Sequence, residues 1–433
     1  MRIAIIGSGI SGLTAAYLLN HDHEITLYEA NDHIGGHTHT HDIEIEGKIW
    51  AVDSGFIVYN ERTYPNFIRI LDELGVERKP TRMGFSVKSV SNDLEYAGHS
   101  LDGLFSQRRN LIRPSFWRMI KSILRFKKES EEQLNELPLD MTIGSFLEKN
   151  HYPSEFIEHF IIPMGAAIWS TMPNMMTEIP AVFFIRFFQN HGILAIKDKP
   201  TWWVINGGSK NYVKKMTAGF TDRIMVSTPV KRVKRNDSIE IIAGSPQHMT
   251  RFDAVVFACH SDQALALLAD PSYAENEILR AITYQRNDVL LHTDHSVLPR
   301  RRKAWSSWNY QLDSDPERPV ALTYNMNILQ GLESSVTFCV TLNDPQAVSP
   351  DRIIKEITYH HPLITVESIS AQKRKNEISG VNNTYYCGAY WHNGFHEDGV
   401  VSAMAVSYTH LRAHETLRYR VCRDLLDKKR GGG

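Results

Sequence analysis

An α/β fold is predicted by three observations. An apolar β-rich run ends in a glycine-rich turn, a helical pattern follows that turn at once, and a second β-rich run comes directly afterwards. The first run is Arg2–Ile6. The helical stretch is Ser11–Asn20, carrying Leu13, Ala15, Ala16, Leu18 and Leu19, and the second run is Glu24–Tyr28. Apolar spacing separates helix from strand here, and a β-α-β unit this compact opens a nucleotide-binding sheet.

Later segments follow the same signals. Phe67–Leu74 reads as a helix ending at Gly75, and the stretch from Thr81 to Pro200 is helix-rich, aromatic and basic. Ile224–Arg235 and Ser238–Ala243 read as strands joined at Asn236 and Asp237. Asp253–Cys259 is a continuous apolar run, as expected of a strand covered on both faces of a parallel sheet. β-type runs dominate Tyr284–Leu342, Tyr385–Tyr390 is a last short strand, and a helix begins near Asp398. Nucleotide-fold pieces thus lie at the start, middle and end. The expected division is a discontinuous cofactor domain over 1–80, 201–265 and 380–406, with a substrate domain over 81–200 and 266–379.

Bulk composition excludes several classes. The chain has 433 residues, 42% hydrophobic and 22% charged, which is ordinary for a globular protein of two or three domains. A net charge of −1 gives no reason to expect a nucleic-acid partner. Cys259, Cys339, Cys387 and Cys422 form no CxxC pair, so no zinc or dithiol site is predicted. With no export signal, a cytoplasmic setting is expected. No stretch reaches the roughly 18–20 apolar residues of a membrane span.

The chemistry is carried by five motifs. Gly7, Gly9 and Gly12 form a GxGxxG turn between strand and helix: one glycine for the turn, one for backbone approach to a pyrophosphate, one for close helix packing. The helix start supplies free amides and a positive dipole end. Glu29 ends the second strand, where a carboxylate can accept from ribose hydroxyls. The second motif is Gly35-Gly36-His37-Thr38, and the third is Asp53-Ser54-Gly55-Phe56. The fourth is Gly207-Gly208-Ser209 with the strand containing Val230 behind it, and the fifth is Tyr386–Trp391 followed by Gly394–Gly399. His33, His37, His39 and His41 lie close in sequence, but no carboxylate or cysteine set completes a metal site, and none is predicted.

Together these motifs, with Asn60–Asn66, Pro163–Trp169 and Ala258–Ala266, resemble bacterial NAD/FAD-binding proteins of the flavin-containing amine oxidase superfamily, phytoene-desaturase-like in type. The resemblance covers about 1–406. It implies a Rossmann-like FAD-binding domain of the amine oxidase type with an interleaved α+β substrate domain. It implies FAD contacts at Gly7, Gly9, Ser11, Gly12, Glu29, Ala30, Gly35, Gly36, His37, Thr38, Gly55, Phe56, Val230, Glu397 and Asp398. His37 departs from the arginine that usually follows the diglycine. Tyr390 and Trp391 are the expected flavin-side walls, and Lys303 and His292 are the candidates for the lysine that many amine oxidases keep near the flavin.

The expected activity is an FAD-dependent oxidase, dehydrogenase or desaturase acting on a hydrophobic small molecule, a lipid or an amine. The alternatives are a redox-neutral flavin isomerase and a flavin-free binding protein of the same fold. Residues 107–128 hold eight basic residues and no acid, interleaved with Leu111, Ile112, Phe116, Trp117, Ile120, Ile123, Leu124 and Phe126. Such a segment suits contact with an anionic membrane face, against the plainer reading of a helix packed on its own domain. From about Ser407 the chain resembles translated sequencing-adapter read-through, so 407–433 is expected to be a non-native or disordered tail.

Overall fold

The computed structural model describes residues 1–411 apart from 90, 139, 171, 194–197 and 313–320; residues 412–433, most of the expected tail, lie outside the described residues. Five parallel strands form the first sheet: β1 (Arg2–Ile6), β2 (Glu24–Tyr28), β3 (Ile224–Met225), β4 (Ala254–Phe257) and β5 (Thr384–Tyr386), in the order β3-β2-β1-β4-β5. β1 is central because its residues are apolar on both faces. Ile3 and Ile5 point into one core with Ile25, Leu27, Leu13 and Val400. Ala4 and Ile6 point into another with Val233, Ile241, Phe252 and Phe257. Period-two alternation sends successive residues to opposite faces, so an unbroken apolar strand must be covered on both.

Helices α1 (Ile10–Leu19), α2 (Pro65–Glu73), α6 (Lys210–Thr217) and α7 (His396–Val406) cover the first face. α7 lies so close to α1 that a Cβ on Gly399 would sit 2.7 Å from Ile10 Cγ2 and 2.9 Å from Ser11 Oγ. The antiparallel strands Val230–Arg235, Ile239–Ala243 and His248–Phe252 cover the second face.

The Ile224–Arg235 run is two strands in two sheets rather than one. Ser227 takes a left-handed φ of 50°, and Pro229, two residues on, has no N–H to give a ladder. The break has a use. Ser227 N donates to Asn31 O at 2.8 Å and Thr228 N to Glu29 O at 2.8 Å, which brings Thr228 and Val230 beside the end of β2.

A second, seven-stranded sheet joins Phe85–Ser89 and Leu94–Ala97 to strands between Tyr284 and Pro362. All its pairings are antiparallel except Trp308–Leu312 with Phe85–Ser89. The stretch read as helix-rich therefore also supplies two strands. Against them pack α3 (Pro114–Gln133), α4 (Ile162–Trp169) and α5 (Ala181–Asn190), around a core rich in phenylalanine that includes Phe126, Phe146, Phe156, Phe184 and Phe188. Among the described residues no helix is long and apolar enough to cross a membrane.

Candidate active site

The turn from β1 into α1 opens on a cavity of about 1520 Å³, above the ~300–1,000 Å³ usual for a single small ligand. Gly7 makes the turn at φ +101°, and a Cβ there would press on Ala258 O and Cys259 N at 3.0 Å. A Cβ on Gly12 would lie 1.8 Å from Gly7 O, so α1 packs where only glycine fits. Gly9 is different. Its backbone is extended (φ −64°, ψ 177°), and a Cβ would meet nothing within 4 Å. The space in front of Gly9 belongs to the cavity. No side chain caps α1, so its first amides and positive dipole end are available to an anion. Gly35 N donates to Ser8 O at 3.1 Å, and Gly36 comes so near Gly9 that a Cβ would be 3.0 Å from the Gly9 Cα.

Glu29 lies on the wall beside this turn. Its Oε2 accepts from Ser8 N (3.0 Å) and Ser8 Oγ (2.5 Å), and its Oε1 from Asn31 N and Asn31 Nδ2 (2.9 Å each). Four donors hold the carboxylate in place. Ala30, Thr228 and Val230 continue the same wall.

Farther in, the cavity passes His37, Gly55, Phe56, Tyr390 and His396. A Cβ on Gly55 would lie 2.1 Å from His37 O, so these two loops touch backbone to backbone. The His396 ring stacks on Phe56 with centroids 3.5 Å apart and planes 6° from parallel. Its Nε2 is 2.8 Å from Tyr212 Oη and 3.1 Å from Thr38 Oγ1. Burial keeps this imidazole well below its ordinary value.

Beside His37 the lining continues with His260, Tyr284, Tyr359, His360 and His361. His37 stacks on Tyr359 with centroids 4.8 Å apart, and His260 stacks on Tyr284 at 4.3 Å. Burial, then neighbouring imidazoles, pushes His37 and His361 down to about 3 and His260 to about 4. These rings are neutral near pH 7. His37 therefore brings a hydrogen-bonding nitrogen rather than the fixed charge of an arginine.

Several cavity-lining residues carry buried polar atoms without a hydrogen-bond partner: His37 Nε2, Tyr390 Oη, Trp169 Nε1 and Trp308 Nε1. A buried polar group left unpaired costs about 1–3 kcal/mol, a cost that a bound polar molecule relieves. With the bare Gly9 turn and the braced Glu29, these residues fit an adenine dinucleotide laid from the Glu29 wall towards Tyr390. The same cavity is also lined by Phe85, Tyr96, Ile123, Phe160, Met164 and Trp169, which form a chamber on the side of Tyr390 away from the glycine turn. Among the described lining residues Glu29 is the sole carboxylate, and Lys127 and Lys199 are the lysines.

The structure brings Gly7, Gly9, Ser11, Glu29, Ala30, Gly35, Gly36, His37, Gly55, Phe56, Val230 and Tyr390 to the cavity. It places others elsewhere. Gly12 is spent on packing α1, and Thr38 Oγ1 sits behind the wall on Tyr212 Oη at 2.6 Å. Glu397 does not line the cavity. It accepts from Asn66 N (3.0 Å), Asn66 Nδ2 (2.7 Å) and Phe67 N (2.9 Å), and so caps the start of α2. Asp398 accepts from Phe395 N at 2.9 Å and caps its own helix. Trp391 packs into the core behind Tyr390, with Lys375 Nζ 5.4 Å from its ring. Neither proposed stand-in for the flavin-side lysine is in the cavity: Lys303 pairs with Asp102 at 3.0 Å on the surface, and His292 Nε2 meets Thr341 Oγ1 at 2.7 Å inside the second sheet.

At α7 the side chain that lines the cavity is His396, at the first position of the helix, rather than Glu397 or Asp398. Sequence reasoning also missed the wall formed by His260, Tyr284, Tyr359, His360 and His361. The adjacent His360-His361 pair on a strand was the signal available for it.

The sequence model of the family "Flavin containing amine oxidoreductase" matches residues 10–318. Protoporphyrinogen oxidase 2, chloroplastic/mitochondrial, of Arabidopsis thaliana is 24% identical over 188 residues, 41% of this chain and 34% of that protein. An L-amino-acid oxidase of Bungarus fasciatus is 41% identical over 62 residues, 14% of this chain and 12% of its own. The match to the plant enzyme thus spans about a third of that relative's length. Among solved structures, a CLA-producing fatty acid isomerase from P. acnes superposes with a TM-score of 0.69 at 16% identity, covering 95% of this chain and 98% of the other. Cyclohexylamine oxidase from Brevibacterium oxydans IH-35A gives 0.67 at 15%, covering 94% and 98%. At these identities the likeness is one of fold.

Proposed function

The chain belongs to the flavin-containing amine oxidoreductase family, with FAD as its cofactor, and from that premise we propose that it oxidises a hydrophobic, uncharged or anionic substrate, a lipid rather than an amine. One observation carries the choice. The chamber beyond Tyr390 is walled by apolar and aromatic side chains, and the cavity's carboxylate, Glu29, is committed to the far end. A protonated amine brought into an apolar chamber without a counter-charge loses its hydration uncompensated. An acyl chain does not, and Lys127 and Lys199 suit a carboxylate at its end.

FAD, when bound, accepts the electron pair that oxidation releases. The residues do the rest. The Gly7–Ser11 amides hold the phosphates, Glu29 receives ribose hydroxyls, and His37 Nε2 offers its unpaired nitrogen to the same molecule. Tyr390, Phe56 and His396 form the floor on which the reacting parts meet, and the aromatic wall excludes water. The division of the chain into a cofactor part (1–80, 201–265, 380–406) and a substrate part (81–200, 266–379) belongs to this reading.

The test is anaerobic mixing of purified protein with long-chain fatty acids, fatty alcohols and alkylamines while the visible flavin band is followed. Bleaching by the acyl compounds and not the amines is expected. Bleaching by amines alone refutes the lipid preference, and a colourless protein that takes up no added FAD refutes the whole reading. A redox-neutral isomerase shares the same cavity; it would transform the acyl compound with no lasting bleaching and no oxygen consumed.

A further inference from the structure

The geometry points to a docking face for an anionic lipid bilayer, formed by residues 111–128 and opening directly into the substrate chamber. α3 has three faces. Phe116, Met119 and Phe126 are in the core. Ile120, Ile123, Leu124 and Lys127 line the cavity. Trp117, Lys121, Leu124 and Lys128 make an exposed stripe at helical spacing. Leu124 belongs to both of the last two: it lines the cavity, yet it is 50% exposed. The exposed stripe is therefore the rim of the cavity mouth.

Just before the helix, Ile112 is 85% exposed and Leu111 47%. Trp117 Nε1 donates to Leu111 O at 2.9 Å, so these apolar groups form one cluster with the stripe. Large aliphatic side chains this exposed, set among cations, mark a surface that is covered in use.

The charges select the occupant. Arg108, Arg109, Arg118, Arg125 and Lys128 are engaged with acids of the protein itself. Arg113 and Lys121 have no ion-pair partner among the described residues, and no acid occurs from 107 to 128. Free cations beside Ile, Leu and Trp complement a surface that is anionic outside and apolar beneath, which describes a leaflet containing acidic lipid. The docking stands on these surface residues alone. That substrate enters from the leaflet past Leu124 rests on the lipid reading of the chamber.

The experiment uses the full chain with its flavin. Vesicles of phosphatidylcholine alone, or of phosphatidylcholine with phosphatidylglycerol, are floated through a density gradient at low ionic strength. The protein is expected to float with the phosphatidylglycerol vesicles and to release at high salt. The double variant Ile112→Asp, Lys121→Glu should keep its flavin colour and bind about tenfold less or worse, having lost one apolar anchor and reversed one charge. Absence of flotation at low salt, equal binding to neutral vesicles, or unchanged binding by the coloured double variant would each overturn the proposal. So would self-association that this double variant abolishes, because the face would then belong to a second copy. None of these outcomes bears on whether acyl substrates bleach the flavin.

Discussion

Gly9→Ala separates cofactor binding from folding. In the free protein the new methyl meets nothing within 4 Å, and the backbone there is already in a conformation open to any residue. Two small terms act on stability. Alanine restricts the unfolded chain, a gain of about 0.4–1 kcal/mol. It is a poorer helix N-cap than glycine, a loss of about 0.5–1 kcal/mol. The FAD-free variant should therefore unfold within about 1 kcal/mol of the parent. The methyl nonetheless stands in the space that the proposed function gives to the phosphates. Losing one or two hydrogen bonds to a charged group, at about 1.5–3 kcal/mol each, amounts to an FAD affinity lower by roughly 10- to 10⁴-fold. The assay is thermal unfolding of FAD-free protein with and without added FAD, beside a titration of the flavin band. The parent should be stabilised by FAD and the variant not. A variant that binds FAD like the parent, or one that is more than about 2 kcal/mol less stable without FAD, refutes the assignment of that space to the phosphates. Gly12→Ala is the contrast: its methyl lands 1.8 Å from a backbone oxygen, and the variant should fail to fold.

Further outcomes are expected at other positions. Glu397→Ala uncaps α2 and should cost about 1–3 kcal/mol in denaturant unfolding, with FAD affinity unchanged within about threefold; a large loss of affinity at unchanged stability would return its carboxylate to the cofactor site. Tyr390→Phe removes a buried hydroxyl that has no partner, so the FAD-free protein should be as stable as the parent or slightly more so, by calorimetry; destabilisation beyond about 1 kcal/mol would mean the hydroxyl is paired after all. Acid should unfold the FAD-free protein early. Buried His37, His260 and His361 take protons more readily unfolded (about 6.5) than folded (about 3–4), so stability is full above 6.5 and falls as pH drops through that window. Asp53 and Asp398, raised by burial to about 6 and 7, act in the opposite sense, but the imidazoles outnumber them once His39, His41 and His191 are included. The unfolding temperature should drop between pH 6.5 and 5, and a flat profile there would contradict neutral buried histidines.

The glycine turn and the Glu29 wall of the cavity were legible because their geometry is local. Gly7, Gly9, Gly12 and Glu29 lie in one β-α-β unit, where spacing alone dictates which backbone must turn, open or pack. The Ile224–Arg235 run was misread because strand propensity outweighed one serine and one proline in the reading, whereas the backbone obeys the break. At α7 the acids read as cofactor contacts proved to be caps, since a carboxylate beside free amides satisfies whichever helix start is nearer. Of the histidine and tyrosine wall, the adjacent His360-His361 pair was the one local signal, and spacing says nothing of what that pair meets. His260 and His361 are far apart in sequence, and only the packing of the second sheet over the first brings them together.

The order of the first sheet bears on how the protein is made. β1 is synthesised before the rest of its sheet, but its partner on one side begins only at Ala254, and β5 and α7 come later still. Until then an apolar strand lacks its neighbour, and a ribosome-bound chain carries an open edge suited to pairing with the wrong strand. Gly399 against Ile10 and Ser11 locks the flank of the glycine turn from a helix nearly four hundred positions later in the sequence. Production of this protein should therefore depend on holding the nascent chain apart from its neighbours until α7 has docked, and flavin uptake should follow the synthesis of α7.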